Sequence, residues 1–131
     1  MYRMRKVLLF LLLGFAALQV SFGQTKIGVM EFDSLAVDLG VFPRDSSLRH
    51  CVFSFRNTGT EPLVIYAASP DCPCVKVHIP VKTIPSGEIG TFEVTYDGTK
   101  KRPGSFRQLI YFAVSAPPRN FRLQIHGRMT E

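Results

Sequence analysis

The chain has 131 residues, three cysteines and no tryptophan, and its 16 basic and 10 acidic side chains give a formal charge of +6. That length suits one domain with a modest core. Removing residues 1–23 takes away Arg3, Arg5 and Lys6 and no acid, so the charge falls from +6 to +3. The remainder is too mild to argue for nucleic-acid binding.

The first segment reads as a cleavable export signal spanning residues 1–23. A basic start, Tyr2–Lys6, precedes the twelve-residue apolar run Val7–Leu18, and Ser21 and Gly23 supply small side chains before Gln24. The run is shorter than the roughly 20 residues a helix needs to cross a bilayer, and no cysteine near the cleavage point offers a site for a lipid. The pattern predicts export to the periplasm or outside the cell, no stable membrane anchor after cleavage, and a domain formed by residues 24–131. In an oxidising compartment, three cysteines allow one internal disulfide and leave one thiol over.

Along the mature chain, apolar residues recur at every second position, as in half-buried strands. Lys26–Phe32 is a weak first candidate. In His50–Phe55, Cys51, Phe53 and Phe55 share one face, and Asn57-Thr58-Gly59-Thr60 supplies turn chemistry after it. Leu63–Ala68 is continuously apolar, which predicts a strand covered on both faces. After the weaker candidate Val75–Ile79, Phe92, Val94 and Tyr96 alternate with Thr91, Glu93 and Thr95 until Asp97-Gly98 stops the strand. Phe106–Val114 and the alternating Phe121, Leu123 and Ile125 complete the series. About seven short strands, with prolines at their ends and no long amphipathic helix, predict an all-β chain. The expected architecture is a single immunoglobulin-like antiparallel β-sandwich. The missing tryptophan, and late strands without cysteine, exclude the antibody-type inter-sheet disulfide.

Asp71-Cys72-Pro73-Cys74 is the densest chemical motif. Cys72 and Cys74, with His78 four positions on, form a candidate ligand set for a soft metal such as Cu(I) or Zn(II). Paired with each other, they would form a tight and easily reduced disulfide. Pro73 stiffens the loop that presents the sulfurs, and no helix follows to lower a thiol pKa as in redox-active C-x-x-C sites. If the chain reverses at Thr58–Gly59, the next strand returns to the end where Cys51 begins its own. Cys51, Cys72 and Cys74 therefore form a candidate disulfide or thiol site, and a structural role is favoured over metal or redox chemistry. His50, His78 and His126 are expected on solvent faces. Lys100, Lys101 and Arg102 form a basic loop between two strands, a candidate partner-binding loop beside the simpler reading of a solvated turn. No nucleophile elbow, zinc-protease or phosphate-loop motif occurs. No enzyme activity and no cofactor are implied.

The order of motifs resembles a bacterial family. Asp38-Leu39-Gly40-Val41 is followed by Phe53-Ser54-Phe55-Arg56-Asn57-Thr58-Gly59 and Pro62-Leu63-Val64-Ile65. Then come Cys72-Pro73-Cys74, Ile84-Pro85-Ser86-Gly87-Glu88, Val94-Thr95-Tyr96-Asp97 and Leu123-Gln124-Ile125-His126-Gly127. This series resembles the exported domain-of-unknown-function family DUF1573, an immunoglobulin-like relative of the ASH, HYDIN and PapD-type sandwiches, across residues 27–129. The family usually shows Ser-Cys-Gly-Cys-Thr where this chain has Asp71-Cys72-Pro73-Cys74-Val75. The resemblance implies fold and compartment and carries no assigned activity. Together these readings point to an exported, non-enzymatic module that binds a protein partner in the cell envelope through end loops or an edge strand. A thiol-based metal or redox protein centred on Cys72 and Cys74 is the alternative.

Overall fold

A computed structural model describes residues 25–131; the expected signal segment, residues 1–23, lies outside them. Ten strands form two five-stranded sheets. The first sheet has the order β1 (Thr25–Ile27), β2 (Met30–Phe32), β4 (Leu48–Asn57), β8 (Ile89–Asp97), β6 (Val75–His78). The second has the order β3 (Ala36–Pro43), β10 (Asn120–Thr130), β9 (Gly104–Val114), β5 (Leu63–Pro70), β7 (Thr83–Ile84). Residues 25–131 thus form an all-β two-sheet sandwich.

Period-two alternation sets the inner faces. Phe53 and Phe55 of β4, Phe92, Val94 and Tyr96 of β8, Ile110 and Phe112 of β9, and Leu123 and Ile125 of β10 are all buried. Phenylalanines join the sheets: Phe92 of the first stacks on Phe112 of the second with ring centroids 4.3 Å apart. Phe112 in turn stacks on Phe121 at 5.0 Å. At one end of the core Tyr96 stacks on Phe106 with nearly parallel rings, centroids 4.4 Å apart.

Beyond the strand count, ten among the described residues against about seven expected, three features differ from the sequence reading. The pairing is not wholly antiparallel, because β3 runs parallel to β10, with Asp38 opposite His126 and Val41 opposite Arg128. That eight-residue strand is hidden in the sequence because its inward positions are Val37, Leu39 and then Phe42. An extra residue at Gly40, held at φ +87°, breaks the alternation as a bulge does, and the Asp38 carboxylate braces it by accepting the Gly40 N–H at 2.8 Å. Secondly, Lys26–Phe32 divides into two strands around Gly28, whose φ is +56°. Finally, β5 is covered on one face only: its pairing with β9 shifts between Ile65 and Ala67, and Tyr66 is left 62% exposed.

Asn57 closes one end of the sandwich from the interior. It is fully buried, and its Nδ2 donates to the carbonyls of Glu61 (2.9 Å) and Ile84 (3.0 Å). Its Oδ1 accepts the Gly59 N–H at 3.0 Å. One amide thereby ties β4 of the first sheet to β7 of the second and to the crossing chain between them. Every hydrogen-bonding group of its side chain acquires a partner, as burial of an amide requires.

Candidate functional site

At the opposite end, β8 stops at Asp97 and residues 98–103 lead to β9. The Gly98 N–H donates to the Ser47 carbonyl at 3.4 Å and the Lys101 N–H to the Gly98 carbonyl at 2.9 Å, folding the basic loop over the end of the first sheet. The Asp97 carboxylate accepts the Thr99 hydroxyl and, at 3.1 Å, the Thr99 N–H. These bonds, aided by the charges of Lys100 and Lys76, hold its carboxyl below the usual carboxylate range. Lys76 belongs to β6 and Lys100 to the loop, so cations from two separate elements face one carboxylate.

The Cys72–Pro73–Cys74 loop is anchored to both sheets. The Asp71 N–H donates to Leu109 of β9 at 2.9 Å, and Asp97 of β8 donates its N–H to the Cys74 carbonyl at 2.9 Å. Cys72 is 6% exposed, whereas Cys74 is half-buried and Pro73 exposed. The two sulfurs are paired as a disulfide, 2.14 Å apart.

Between this loop and the basic loop lies a groove of about 620 Å³, bordered by Leu48, Lys76, Asp97, Lys100 and Lys101. Its lining is mostly apolar, with Leu48 itself 56% exposed. A smaller groove of about 290 Å³ continues along the outer face of the first sheet, shares Lys76 and Thr95 with the first, and reaches His50, His78 and Glu93. The pairing explains this continuity: His50, Thr95 and Lys76 form one cross-strand row, and Val52, Glu93 and His78 the next.

The fold therefore brings together Cys72, Cys74, Lys100 and Lys101, two sequence motifs read as separate. Arg102 is exposed beside them but does not border the groove. Cys51 does not join them. Its strand partner is Val94, three residues below the Leu48–Asp97 row, or about 10 Å at the rise of a strand. The hairpin expected at Thr58–Gly59 does not form, because β4 and β5 enter different sheets. Cys51 is a free thiol, and burial pushes its pKa up to about 11.

The proposed metal set of Cys72, Cys74 and His78 is not assembled. On β6, Val75 and Val77 point inward and His78 outward, placing its ring on the outer face, 4.0 Å from the Glu93 carboxylate. Among the described residues, no group of three or more His, Cys, Asp or Glu side chains is placed to hold a metal ion. His50 is also outside, 3.0 Å from the Thr95 hydroxyl. His126 is half-buried with Nδ1 3.3 Å from the Gln124 amide. Leu48, Lys76 and Asp97 are the site residues that sequence reasoning missed. For Lys76 the signal was the alternation of Val75 and Val77, which already places it on the outer face.

A two-sheet sandwich with a basic groove at one end defines the class. The chain belongs to DUF1573, a family of proteins of unknown function, whose model matches residues 30–129. No curated protein matches. Among solved structures, a Porphyromonas gingivalis W83 protein of unknown function aligns over 87% of this chain with a TM-score of 0.68 and 20% identity. This chain spans 50% of that protein's length. The ASH/PapD-like domain 7 of human CEP192 aligns over 89% of this chain and 96% of its own, with a TM-score of 0.59 and 13% identity. The YadV chaperone aligns over 79% of this chain and 53% of its own, with a TM-score of 0.54 and 16% identity. At such identities the likeness is one of fold.

Proposed function

We propose that the chain is an exported, non-enzymatic interaction module that binds a protein partner of the cell envelope through the loops at one end of the sandwich. The observation that carries this reading is the convergence of the C-P-C loop and the basic loop on one open groove. An edge strand flanks it: among the described residues β6 pairs with β8 alone and its other side has no strand beside it, so a partner strand has backbone groups to join. ASH/PapD-like and chaperone folds among the structural neighbours support a module that works by contact. Export rests on the N-terminal pattern Arg3–Gly23.

The test is cross-linking in the native envelope followed by co-purification at low salt. A discrete cross-linked partner is the expected result; recovery of the free monomer alone would refute the reading.

The alternative, a thiol redox protein, draws on the bonded Cys72–Cys74 pair and the partial exposure of Cys74. Differential alkylation with mass spectrometry separates the two readings. A pair that resists mild reductant in the folded protein belongs to a structural loop, whereas rapid opening is the mark of a redox site.

A further inference from the structure

The groove has a polarity that narrows its ligand. Lys76, Lys100 and Lys101 border it, against the single carboxylate Asp97. That carboxylate is already committed to Thr99. Among the described residues the ion pairs are Lys26–Glu31 and His78–Glu93, so no groove lysine is held by an acid within 4.0 Å. Three cations therefore surround an apolar surface made by Leu48, Pro73 and the disulfide.

The shape is elongated. From Asp97 to Glu93 the two connected grooves follow β8 for about 14 Å, the length of four to five extended residues; the lysines border the Asp97 half, and the carboxylate at the far end, Glu93, lies 4.0 Å from His78. A compact phosphate or sulfate is better held by convergent N–H groups or arginine forks. Here the cations are lysines spread along a border, above an apolar surface that an inorganic anion would leave uncovered. An extended chain with carboxylates beside aliphatic side chains satisfies both parts.

Resting on the interaction-module reading, we infer that this groove binds an acidic, extended segment of the partner protein. Lys76, Lys100 and Lys101 meet its carboxylates, while Leu48 and Pro73 cover its apolar side chains. Lysines at such a border raise the association rate and its salt dependence.

The probe is a fluorescein-labelled peptide of sequence Leu-Glu-Glu-Leu-Glu-Glu, compared with its Leu-Lys-Lys-Leu-Lys-Lys counterpart by fluorescence anisotropy at low salt. The acidic peptide is expected to bind and the basic one not. Substituting Lys76→Glu, Lys100→Glu and Lys101→Glu together, all at exposed positions, is expected to weaken binding about 10- to 100-fold. A second triple variant, Arg107→Glu, Arg122→Glu and Arg128→Glu, makes the same change in net charge on the outer face of the other sheet. It is expected to bind almost as the wild type does. Equal loss in both variants, or equal binding of the two peptides, overturns the inference in favour of non-specific charge attraction. Groove-dependent binding to phosphatidylglycerol vesicles without peptide binding overturns it in favour of a lipid surface. In the envelope cross-linking experiment, equal yields from wild type and groove variant sink the groove while the interaction reading stands; absence of any partner sinks that reading itself.

Discussion

The two ends of the first sheet are built on opposite principles. At the Asn57 end, buried polar groups are satisfied from both sheets: the amide meets two carbonyls and one N–H, and the Thr58 N–H reaches the Val29 carbonyl at 2.8 Å. Arg56 of β4 adds a bond of 2.7 Å to the Gly87 carbonyl. At the Leu48–Asp97 end, lysines with no acid within 4.0 Å among the described residues border an open groove, and the buried hydroxyls of Ser47 and Tyr96 have no partner among those residues. A fully paired end contributes stability because nothing there is left desolvated. An end with uncommitted charge and exposed apolar surface contributes less and is available for recognition.

That contrast is open to attack by substitution. The largest effect is expected from Asn57→Ala, which strands the Glu61 and Ile84 carbonyls and the Gly59 N–H. Denaturant unfolding should show a loss of about 3–4 kcal/mol. Next comes Gly28→Ala at the same end, where the new Cβ would lie 2.1 Å from the Pro117 carbonyl oxygen and φ is +56°. A backbone neighbour cannot swing aside, so a loss of about 2–3 kcal/mol is expected from the same measurement.

At the open end the effects are smaller. Replacing Cys72 and Cys74 together by alanine removes a cross-link spanning two residues, whose loop entropy is worth about 1–2 kcal/mol. A loss as large as that of Asn57→Ala would show that this end is also a structural anchor.

The half-buried Cys51 thiol gives a pH signature. Its ordinary value of 9.0 is raised to about 11 by burial, so the folded state retains a proton that the unfolded state releases. Stability from this source is complete below pH 9 and is lost as pH rises through about 11. Unfolding curves of wild type and Cys51→Ala should diverge in that window, and alkylation of folded Cys51 should be slow at pH 8. The smallest effect is expected for Tyr96→Phe. It removes a hydroxyl that is buried without a partner among the described residues, so unfolding should show no loss and a gain of up to about 1 kcal/mol.

Much of the fold was legible in the residues. Clean alternation in Thr91–Tyr96 and in Phe121–Ile125 marked strands whose inward residues lie in the core or, for Phe121, packed against it. The pattern failed where one residue was inserted. Gly40 broke the alternation of β3, and the shift between Ile65 and Ala67 turned Tyr66 outward within an apolar run. A strand can be read from periodicity only while its register is uninterrupted. Asn57 was legible as a turn residue, but its role as a buried tie between sheets was not, because its partners Glu61 and Ile84 are defined by how the sheets stack.

By itself, then, the sequence determined the all-β class, the inward face of the long regular strands, and the two motifs worth inspecting, C-P-C and Lys100–Arg102. Side-chain period and turn chemistry are local properties, readable over a few residues. The tertiary structure decided that β4 and β5 part into different sheets, and that the register along β8 sets Cys51 level with Val94 and Val77, three residues from Cys74. It also decided that His78 faces away from the sulfurs and that Lys76, Lys100 and Lys101 gather beside them. Those are relations between strands distant in sequence, fixed by register and sheet order, and local pattern carries no record of them.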